Sequence, residues 1–529
     1  MQRSISVSGL LFASVSAIIG SGWLFNAFYT ATLAGPAAIL SWLIGGGFIL
    51  VIALVFAEVC GMLPITGSSA RIPQYTHGTL VSFLFAWMTW LSYVALMTAE
   101  VQAVIQYASF YCPSLSDALT GELTARGYLT ASVLMLFISV INISSLRWLM
   151  RSNTILTLLK LIIPLIIVFT ILFHYFSLSQ VLHPAHSPFM PLGISGTFAA
   201  ITTGGIVFAF NGFKQAAEMA GEAKRPERSV PLAIVGSVGI CMVLFILLQV
   251  AFFSSLRSSN LNFGWANLHL IHNSTPLSAI IQQDELSWLM PLLYAIAVIA
   301  PLAAGLMYCT SGARSFYGMS KNGYIPSIFQ KLTPKQGNPI MAILINFVLG
   351  LCLFAPLPGW KMIMNFLTSL LAISYAVGPI TMIALRYQAP KQKRPITLPF
   401  GRLWAFIAFY MCSLLIYWNG WHVLSITGIA ILIGFAILFT YRKCSKRLHI
   451  ELNLRQSTWI WPYFIGILII SYFGNYGGGQ QLLSLKSSMV LLAALCLLVL
   501  WLAVKFRMPD AITQNYIAEL HLEHQNERA

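Results

Sequence analysis

Two apolar segments of this sequence are each interrupted near the middle by a short patch that contains glycine and a polar residue. The first segment, residues 6–33, is interrupted at Gly20-Ser21-Gly22, and the second, residues 194–218, at Phe210-Asn211-Gly212-Phe213. Unwound backbone frees N–H groups, which bind a carboxylate, and carbonyl groups, which accept hydrogen bonds from an ammonium group. The two patches together therefore predict a binding site for a molecule that carries both groups, such as an amino acid.

The residues expected in this site come from both patches and their flanks. Ser21 adds a hydroxyl to the free amides of the first patch, for which close helix packing through small residues is the alternative explanation. Phenylalanine side chains of the second patch would cover the ligand, and core packing is the alternative for at least one of them. Asn211 would either contact the ligand or cap the unwound segment. The predicted binding residues are Ile18, Ile19, Gly20, Ser21, Gly22, Phe208, Phe210, Asn211 and Gly212.

Two ionisable residues lie inside other apolar segments. Lys160 is the only basic residue well inside such a segment. Because burial disfavours its charged form, it is a candidate proton carrier or a built-in cation. The alternative is that Lys160 snorkels toward the cytoplasmic interface. Glu100 would meet the ligand's ammonium or a proton, or form a structural hydrogen bond. We predict that Lys160 and Glu100 couple proton movement to binding.

The composition identifies an all-α integral membrane protein. Of 529 residues, 58% are hydrophobic and only 8% are charged, and the mean hydropathy is +0.79. Soluble proteins usually carry about 25% charged residues, and many apolar runs here reach the roughly 20 residues that span a bilayer. We place spans at residues 6–33, 36–62, 79–111, 128–145, 152–176, 194–218, 230–255, 287–313, 339–356, 362–385, 403–419, 424–441, 459–474 and 487–504.

The basic residues set the orientation of these fourteen predicted spans, which place both termini on one side. On that side lie 25 of the 30 lysines and arginines. The positive-inside rule makes it the cytoplasmic side of the cytoplasmic (inner) membrane. The net charge of +16 is therefore explained by topology, and no nucleic-acid partner is needed.

The direction of the two interrupted spans suggests internal symmetry. The first runs outward and the sixth runs inward, which predicts a five-plus-five inverted repeat with broken helices 1 and 6. We divide residues 1–386 into halves within 1–176 and 194–386. Residues 387–508 form four additional helices, and residues 509–529 form a partly ordered cytoplasmic tail.

Several chemistries are not expected. The eight cysteines are scattered without a C-x-x-C pair, so we predict no disulfide, no metal site and no cofactor. Intramembrane aspartyl catalysis needs paired aspartates, and none of Asp117, Asp284 and Asp510 lies inside a predicted span. An enzyme is therefore disfavoured.

The interrupted segments and three other stretches resemble the amino acid–polyamine–organocation transporters. The matching stretches are residues 17–23, 57–64, 208–213, 220–228 and 310–323. Within that superfamily, residues 19–25, 35–38, 74–78, 208–211 and 378–386 look most like the bacterial aspartate:proton symporters.

This resemblance implies a leucine-transporter-like core and specific roles for the residues named above. It implies the substrate carboxylate at the span 1 break, the amine at span 6 carbonyls, Lys160 in place of a sodium ion, and Glu100 near the coupling path. Gly212 stands where the aspartate group can carry alanine, so the pocket size is expected to differ.

The function predicted from all of this is proton-coupled uptake of an acidic amino acid by alternating access. The predicted partners are the amino acid, the proton and the lipid bilayer, and the sequence specifies no oligomeric state. An exchanger for a neutral or other amino acid is the alternative. A nutrient sensor is less favoured because no signalling domain is attached.

Overall fold

The computed structural model of the protein describes residues 5–117, 121–143, 146–184, 187–270, 275–333, 337–357, 359–444 and 451–526. Within these ranges the regular elements are α-helices and short 3-10 helices, with no β-strand. The predicted end of the fourth span at residue 145 and the end of the tail at residues 527–529 lie outside the described residues.

The helices follow one another with short connections. Up to the tenth span they are α1 (Val7–Ile18), α2 (Gly22–Ala34), α3 (Ala38–Met62), α4 (Ser68–His77), α5 (Thr79–Ala108), α6 (Ala125–Ile143), α7 (Leu146–Tyr175), α8 (Leu178–Leu182), α9 (Gly193–Thr202), α10 (Ile206–Ala209), α11 (Lys214–Glu218), α12 (Pro226–Ser254), α13 (Pro276–Gln283), α14 (Met290–Lys321), α15 (Ile340–Leu353), α16 (Gly359–Tyr375) and α17 (Val377–Gln388). The remaining helices are α18 (Gly401–Trp418), α19 (Trp421–Cys444), α20 (Ile460–Phe473), α21 (Leu485–Lys505) and α22 (Asp510–Asn526).

These helices account for the predicted spans. Among the described residues, 11 helical stretches are long and apolar enough to cross a membrane, and α1, α15 and α20 are shorter apolar helices. One of the 11 stretches joins α2 with α3, and α1 with α2 forms the interrupted first span. The helices therefore agree with a protein of fourteen spans.

The structure breaks both interrupted segments where the sequence suggests, and breaks the sixth span a second time. In the first span α1 ends at Ile18 and α2 begins at Gly22. In the sixth span a 3-10 turn, Asn211–Phe213, separates α10 from α11. An earlier break separates α9 from α10 at Gly205, whose φ of 91° is a left-handed conformation that favours glycine.

One helix positions residues beside both broken spans. Every residue of α5 from Thr79 to Tyr107 is buried, so this helix runs through the centre of the bundle. An all-round apolar helix of this kind belongs inside a helical bundle. Its side chains reach both broken spans: Glu100 lies against Gly20 in the first break, and the Thr89 hydroxyl accepts a hydrogen bond from the buried ammonium of Lys214 at the start of α11.

The predicted C-terminal tail contains a helix that packs against the rest of the protein. Helix α22 buries Tyr516, Ile517 and Leu520, which share one face because they are one and four residues apart. Its Thr513 hydroxyl donates to the carbonyl of Tyr75 in α4 at 2.8 Å. Packing of this apolar face therefore supports a helix within the predicted tail.

A buried carboxylate fastens the C-terminal end of α3 to α17 and the loop after it. Glu58 accepts hydrogen bonds from Nε and Nη2 of Arg386 at 2.9 and 2.6 Å, and from the backbone N–H of Leu398 at 2.9 Å. Arg394 lies 3.6 Å away. These contacts join α3 to α17 and to the loop that follows it.

We expect Glu58→Gln to destabilise the protein clearly, because the change leaves buried donors without their anion. The cost should be about 3 kcal/mol, at the lower end for a buried pair, since the Arg386 side chain is 23% exposed. Thermal unfolding in detergent measures it. Asp510→Asn is the matched control, because its Arg507 pair is exposed and should contribute less than about 1 kcal/mol. Equal shifts for the two variants would contradict this role of Glu58.

Candidate functional site

The two broken spans are in direct contact at their breaks. A Cβ atom placed on Gly212 would lie only 2.6 Å from the carbonyl carbon of Ala17 and closer still to the backbone nitrogen of Ile18. A Cβ on Gly22 would lie 3.2 Å from Cε1 of Phe208. The structure therefore brings together Ile18, Gly22, Phe208 and Gly212 from the predicted set, and it requires a residue without a side chain at Gly212.

A further hydrogen bond ties α2, the second half of the first span, to the sixth span. The side-chain amide of Asn26 in α2 donates to the carbonyl of Gly205 at 2.9 Å. Asn211, by contrast, donates to the carbonyl of Phe208 at 2.5 Å. Its amide nitrogen thus caps its own unwound segment.

Lys160 is directed at the broken first span. Its ammonium donates to the carbonyl of Ser16 at 2.7 Å and to the Ser16 hydroxyl at 3.1 Å, and its side chain is fully buried. One turn earlier on α7, the Thr157 hydroxyl donates to the carbonyl of Phe12 at 3.2 Å. Lys160 therefore does not snorkel toward the membrane surface. Its ammonium points into the bundle and contacts Ser16, two residues before the end of α1.

Glu100 faces the same break from α5. The residue is 1% exposed, and a Cβ placed on Gly20 would lie 2.8 Å from its Oε2. Ser21 also faces this carboxylate, and the charge of Lys160 attracts it. Among the described residues no cation forms an ion pair with Glu100 within 4 Å. Glu100 is therefore a buried carboxylate beside the first predicted N–H groups of the site.

Aromatic rings cover the site on the side of α2. The indole N–H of Trp360 in α16 donates to the Ser21 hydroxyl at 2.9 Å. Its ring stacks on Phe25 with centroids 4.5 Å apart and meets the edge of Phe208 at 5.3 Å. Sequence reasoning named Phe208 but missed Trp360 and Phe25. The place of Phe25 in the site could have been predicted, because it follows Gly22 at helical spacing. Nothing in the sequence around Trp360 indicates that it belongs to the site.

Two predicted residues lie away from these rings. Phe210 packs against Trp42 and Phe245, with ring centroids 5.9 and 5.5 Å apart, in the core between α3 and α12. Ile19 donates its N–H to the carbonyl of Val15 at 2.9 Å, in continuation of α1. The structure therefore places Phe210 in apolar packing and uses the Ile19 amide within the helix.

An ion pair links α14 to the segment after α11. Arg314 of α14 contacts the Glu222 carboxylate through two nitrogens, at 2.5 and 3.1 Å, and both side chains are buried. The backbone of Ile5 also donates to the carbonyl of Glu222 at 3.0 Å and accepts from Lys224 at 2.9 Å. The start of the first span and the end of the sixth are thus fastened together, and the site is covered on both sides.

Two broken helices that meet inside a bundle of apolar helices define a membrane transporter, because unwound backbone at membrane depth is satisfied only where it lines a cavity or is buried in protein. Comparison with known proteins agrees. Residues 5–438 match the family described as amino acid permease. The chain belongs to the amino acid permease family, and it is a multi-pass membrane transporter and not an enzyme.

Two relatives align over nearly their whole length. The chain is 34% identical over 511 residues to the glutamate/serine transporter AimA of Bacillus subtilis (strain 168), covering 96% of this chain and 94% of that one. It is 30% identical over 512 residues to the aspartate-proton symporter of the same organism, covering 96% and 98%. The expected resemblance to the amino acid–polyamine–organocation transporters is confirmed.

Proposed function

We propose that this protein imports an acidic amino acid together with protons across the cytoplasmic membrane. The observation that carries the proposal is the pair of buried ionisable groups that contact the broken first span from other helices, Lys160 at Ser16 and Glu100 at Gly20. Membrane-buried ionisable groups are costly and mark ion or proton pathways. The names of the two relatives, a glutamate/serine transporter and an aspartate-proton symporter, support the substrate class and the coupling ion.

In the proposed binding mode, each break binds a different group of the substrate. The N–H groups at the start of α2, beside Ser21 and Gly22, hold the substrate's α-carboxylate. Carbonyl groups freed between Phe208 and Gly212 accept hydrogen bonds from its ammonium group. Phe208 and Trp360 cover the substrate from the outside.

Glu100 supplies the proposed coupling. When ionised, its carboxylate lies beside the amides that the substrate's carboxylate needs, and like charges repel. A proton on Glu100 removes that repulsion, so protonation and substrate binding favour each other. A ligand shifts a conformational equilibrium only by the difference in its affinity for the two conformations. The proton on Glu100 therefore contributes to transport through the difference in its affinity for the two conformations of the transporter.

Lys160 supplies a cation that joins α7 to the break through Ser16. Loss of its proton weakens this link, which allows α1 to move away from α7 when the cytoplasmic side opens. The proposal also includes both termini on the cytoplasmic side and a core at residues 1–386, built from inverted halves within 1–176 and 194–386.

Uptake of labelled L-aspartate into sodium-free proteoliposomes tests this function, with and without an inward proton gradient. We expect accumulation only with the gradient, and competition by unlabelled glutamate and aspartate. Equal uptake under both conditions would contradict proton coupling. Uptake that requires preloaded amino acid would identify an exchanger, the alternative function. The name of one relative, a glutamate/serine transporter, also fits a neutral substrate.

A further inference from the structure

A basic cavity lies where α21 ends, away from the two broken spans. It has a volume of about 350 Å³ and is lined by residues 455–456, which precede α20, and by residues 505–510, which end α21 and begin α22. Three of these residues, Arg455, Lys505 and Arg507, are cations. Two segments that are distant in the sequence therefore direct their positive charges to one cavity.

Acidic groups neutralise only part of this charge. Arg507 pairs with the carboxylate of Asp510, 3.2 Å away, which lines the same cavity. Arg455 and Lys505 are exposed, and within the described ranges neither forms an ion pair with an acidic residue within 4 Å. With three cations and one carboxylate, the cavity carries two net positive charges, which suit an anionic ligand.

An exposed apolar face of α21 leads to this cavity. Leu497 and Trp501 precede Lys505 at intervals of four residues, so the three side chains lie on one face of the helix. The Leu497 and Trp501 side chains are each 57% exposed. The Lys505 ammonium lies 4.7 Å from the centre of the Trp501 ring. Tryptophan and lysine at the end of a span are typical of the level of the lipid head groups, so the cations lie at the height of the phosphates of a bilayer.

A further cation lies beside the cavity. The guanidinium carbons of Arg402 in α18 and Arg507 each lie 5.3 Å from the centre of the Tyr387 ring in α17. The two guanidinium groups are therefore at most twice this distance apart. An arginine that stacks on an aromatic ring keeps N–H groups for phosphate oxygens, which it can contact in pairs. The ends of three spans thus contribute to one positively charged surface.

We propose that this cavity binds the phosphate of an anionic phospholipid, whose acyl chains lie along Leu497 and Trp501. Basic pockets between transmembrane helices at a membrane surface suit such head groups. A free phosphate ion would use the cations but not the apolar face, whereas an uncharged lipid would use only the apolar face. An anionic phospholipid matches both features. This inference does not depend on which substrate the protein transports.

A lipid bound here would stabilise a junction between helices. Met508, which lines the cavity, donates its N–H to the carbonyl of Thr76 in α4 at 2.8 Å. Its carbonyl accepts a hydrogen bond from the side-chain amide of Gln388, the last residue of α17, at 2.8 Å. Because a ligand that binds only the folded state stabilises it, the lipid should raise the unfolding temperature.

Thermal unfolding of the full-length protein in a nonionic detergent tests the site, with increasing phosphatidylglycerol in the micelles. Phosphatidylcholine with the same acyl chains lacks the net charge, and inorganic phosphate lacks the acyl chains. We expect only phosphatidylglycerol to raise the unfolding midpoint clearly. In the double variant Arg455→Gln/Lys505→Gln, the half-saturating mole fraction of phosphatidylglycerol should rise roughly thirtyfold, at about fivefold for each cation removed.

The matched control is Arg442→Gln/Lys443→Gln, which removes an exposed arginine and an exposed lysine from the end of α19. These two residues do not line the cavity, so this variant should respond to phosphatidylglycerol like the wild type. All four substituted residues are exposed, and both variants should therefore fold and unfold near the wild-type midpoint before lipid is added.

Four results would overturn the proposal. An unchanged response to phosphatidylglycerol in Arg455→Gln/Lys505→Gln would show that the lipid binds elsewhere. Equal loss of the response in both double variants would indicate general attraction of anionic lipid to the positive surface. An equal midpoint shift with inorganic phosphate would identify a site for a free anion. An equal shift with phosphatidylcholine would assign the stabilisation to acyl chains alone.

Discussion

Lys160→Ala is expected to abolish uptake driven by a proton gradient, while the protein still folds. Alanine removes the ammonium that donates two hydrogen bonds to Ser16. The closed arrangement of α7 against α1 then no longer depends on protonation. The measurement is uptake of labelled aspartate into proteoliposomes at several external pH values. Substrate binding in detergent provides the separate readout. It should be weakened less than uptake, because Lys160 contacts Ser16 of α1 and not the groups proposed to bind the substrate.

The matched control for this variant is Lys486→Ala, which removes an exposed lysine from α21. It should keep both the rate of uptake and its pH dependence. Normal uptake with unchanged pH dependence in Lys160→Ala would remove this lysine from the mechanism. Loss of binding and uptake together, with an unfolded profile in chromatography, would assign it a purely structural role.

Gly212→Val is expected to eliminate substrate binding. A Cβ at this position would lie against the backbone of Ala17 and Ile18, and backbone cannot turn aside as a flexible side chain can. The two breaks must then separate, which moves the amides of one away from the carbonyls of the other. Overpacking of this kind costs about 1–3 kcal/mol of stability, and binding needs both breaks in place. Equilibrium binding of labelled substrate to purified protein measures the loss.

Gly239→Val is the control for the glycine substitution. Its Cβ would meet no atom within 4 Å, and Gly239 is exposed on α12. Valine should therefore leave binding unchanged at this position. Near-normal affinity in Gly212→Val would show that the contact between the breaks serves only packing.

The breaks were predictable because glycine and polar residues in the middle of an apolar segment destabilise a membrane helix, so their presence indicates a structural or functional role. Gly20 and Gly212 stand out for this reason, and so do Lys160 and Glu100. The number of spans followed from apolar run length. These are local properties, since each is visible within about 20 residues of sequence.

The partners across the bundle were not predictable. The bonds from Lys160 to Ser16 and from Trp360 to Ser21 join residues 144 and 339 positions apart, and they depend on how the helices pack. The direction of Phe210 depends on how the unwound segment rotates, which helical periodicity does not fix. The cover formed by Trp360 and the buried position of Lys214 therefore emerged only from the fold.

The fastening of Ile5 to residues 222–224 bears on the order in which the protein is made. Ile5 is synthesised roughly 200 residues before the backbone groups that it bonds. At about 5–20 residues per second, this is a delay of roughly 10–40 s. Gly212, the contact of the first break, is made equally late. The first span therefore lacks its contacts with the sixth span while it lies in the membrane. It reaches its final position only after the sixth span has been inserted.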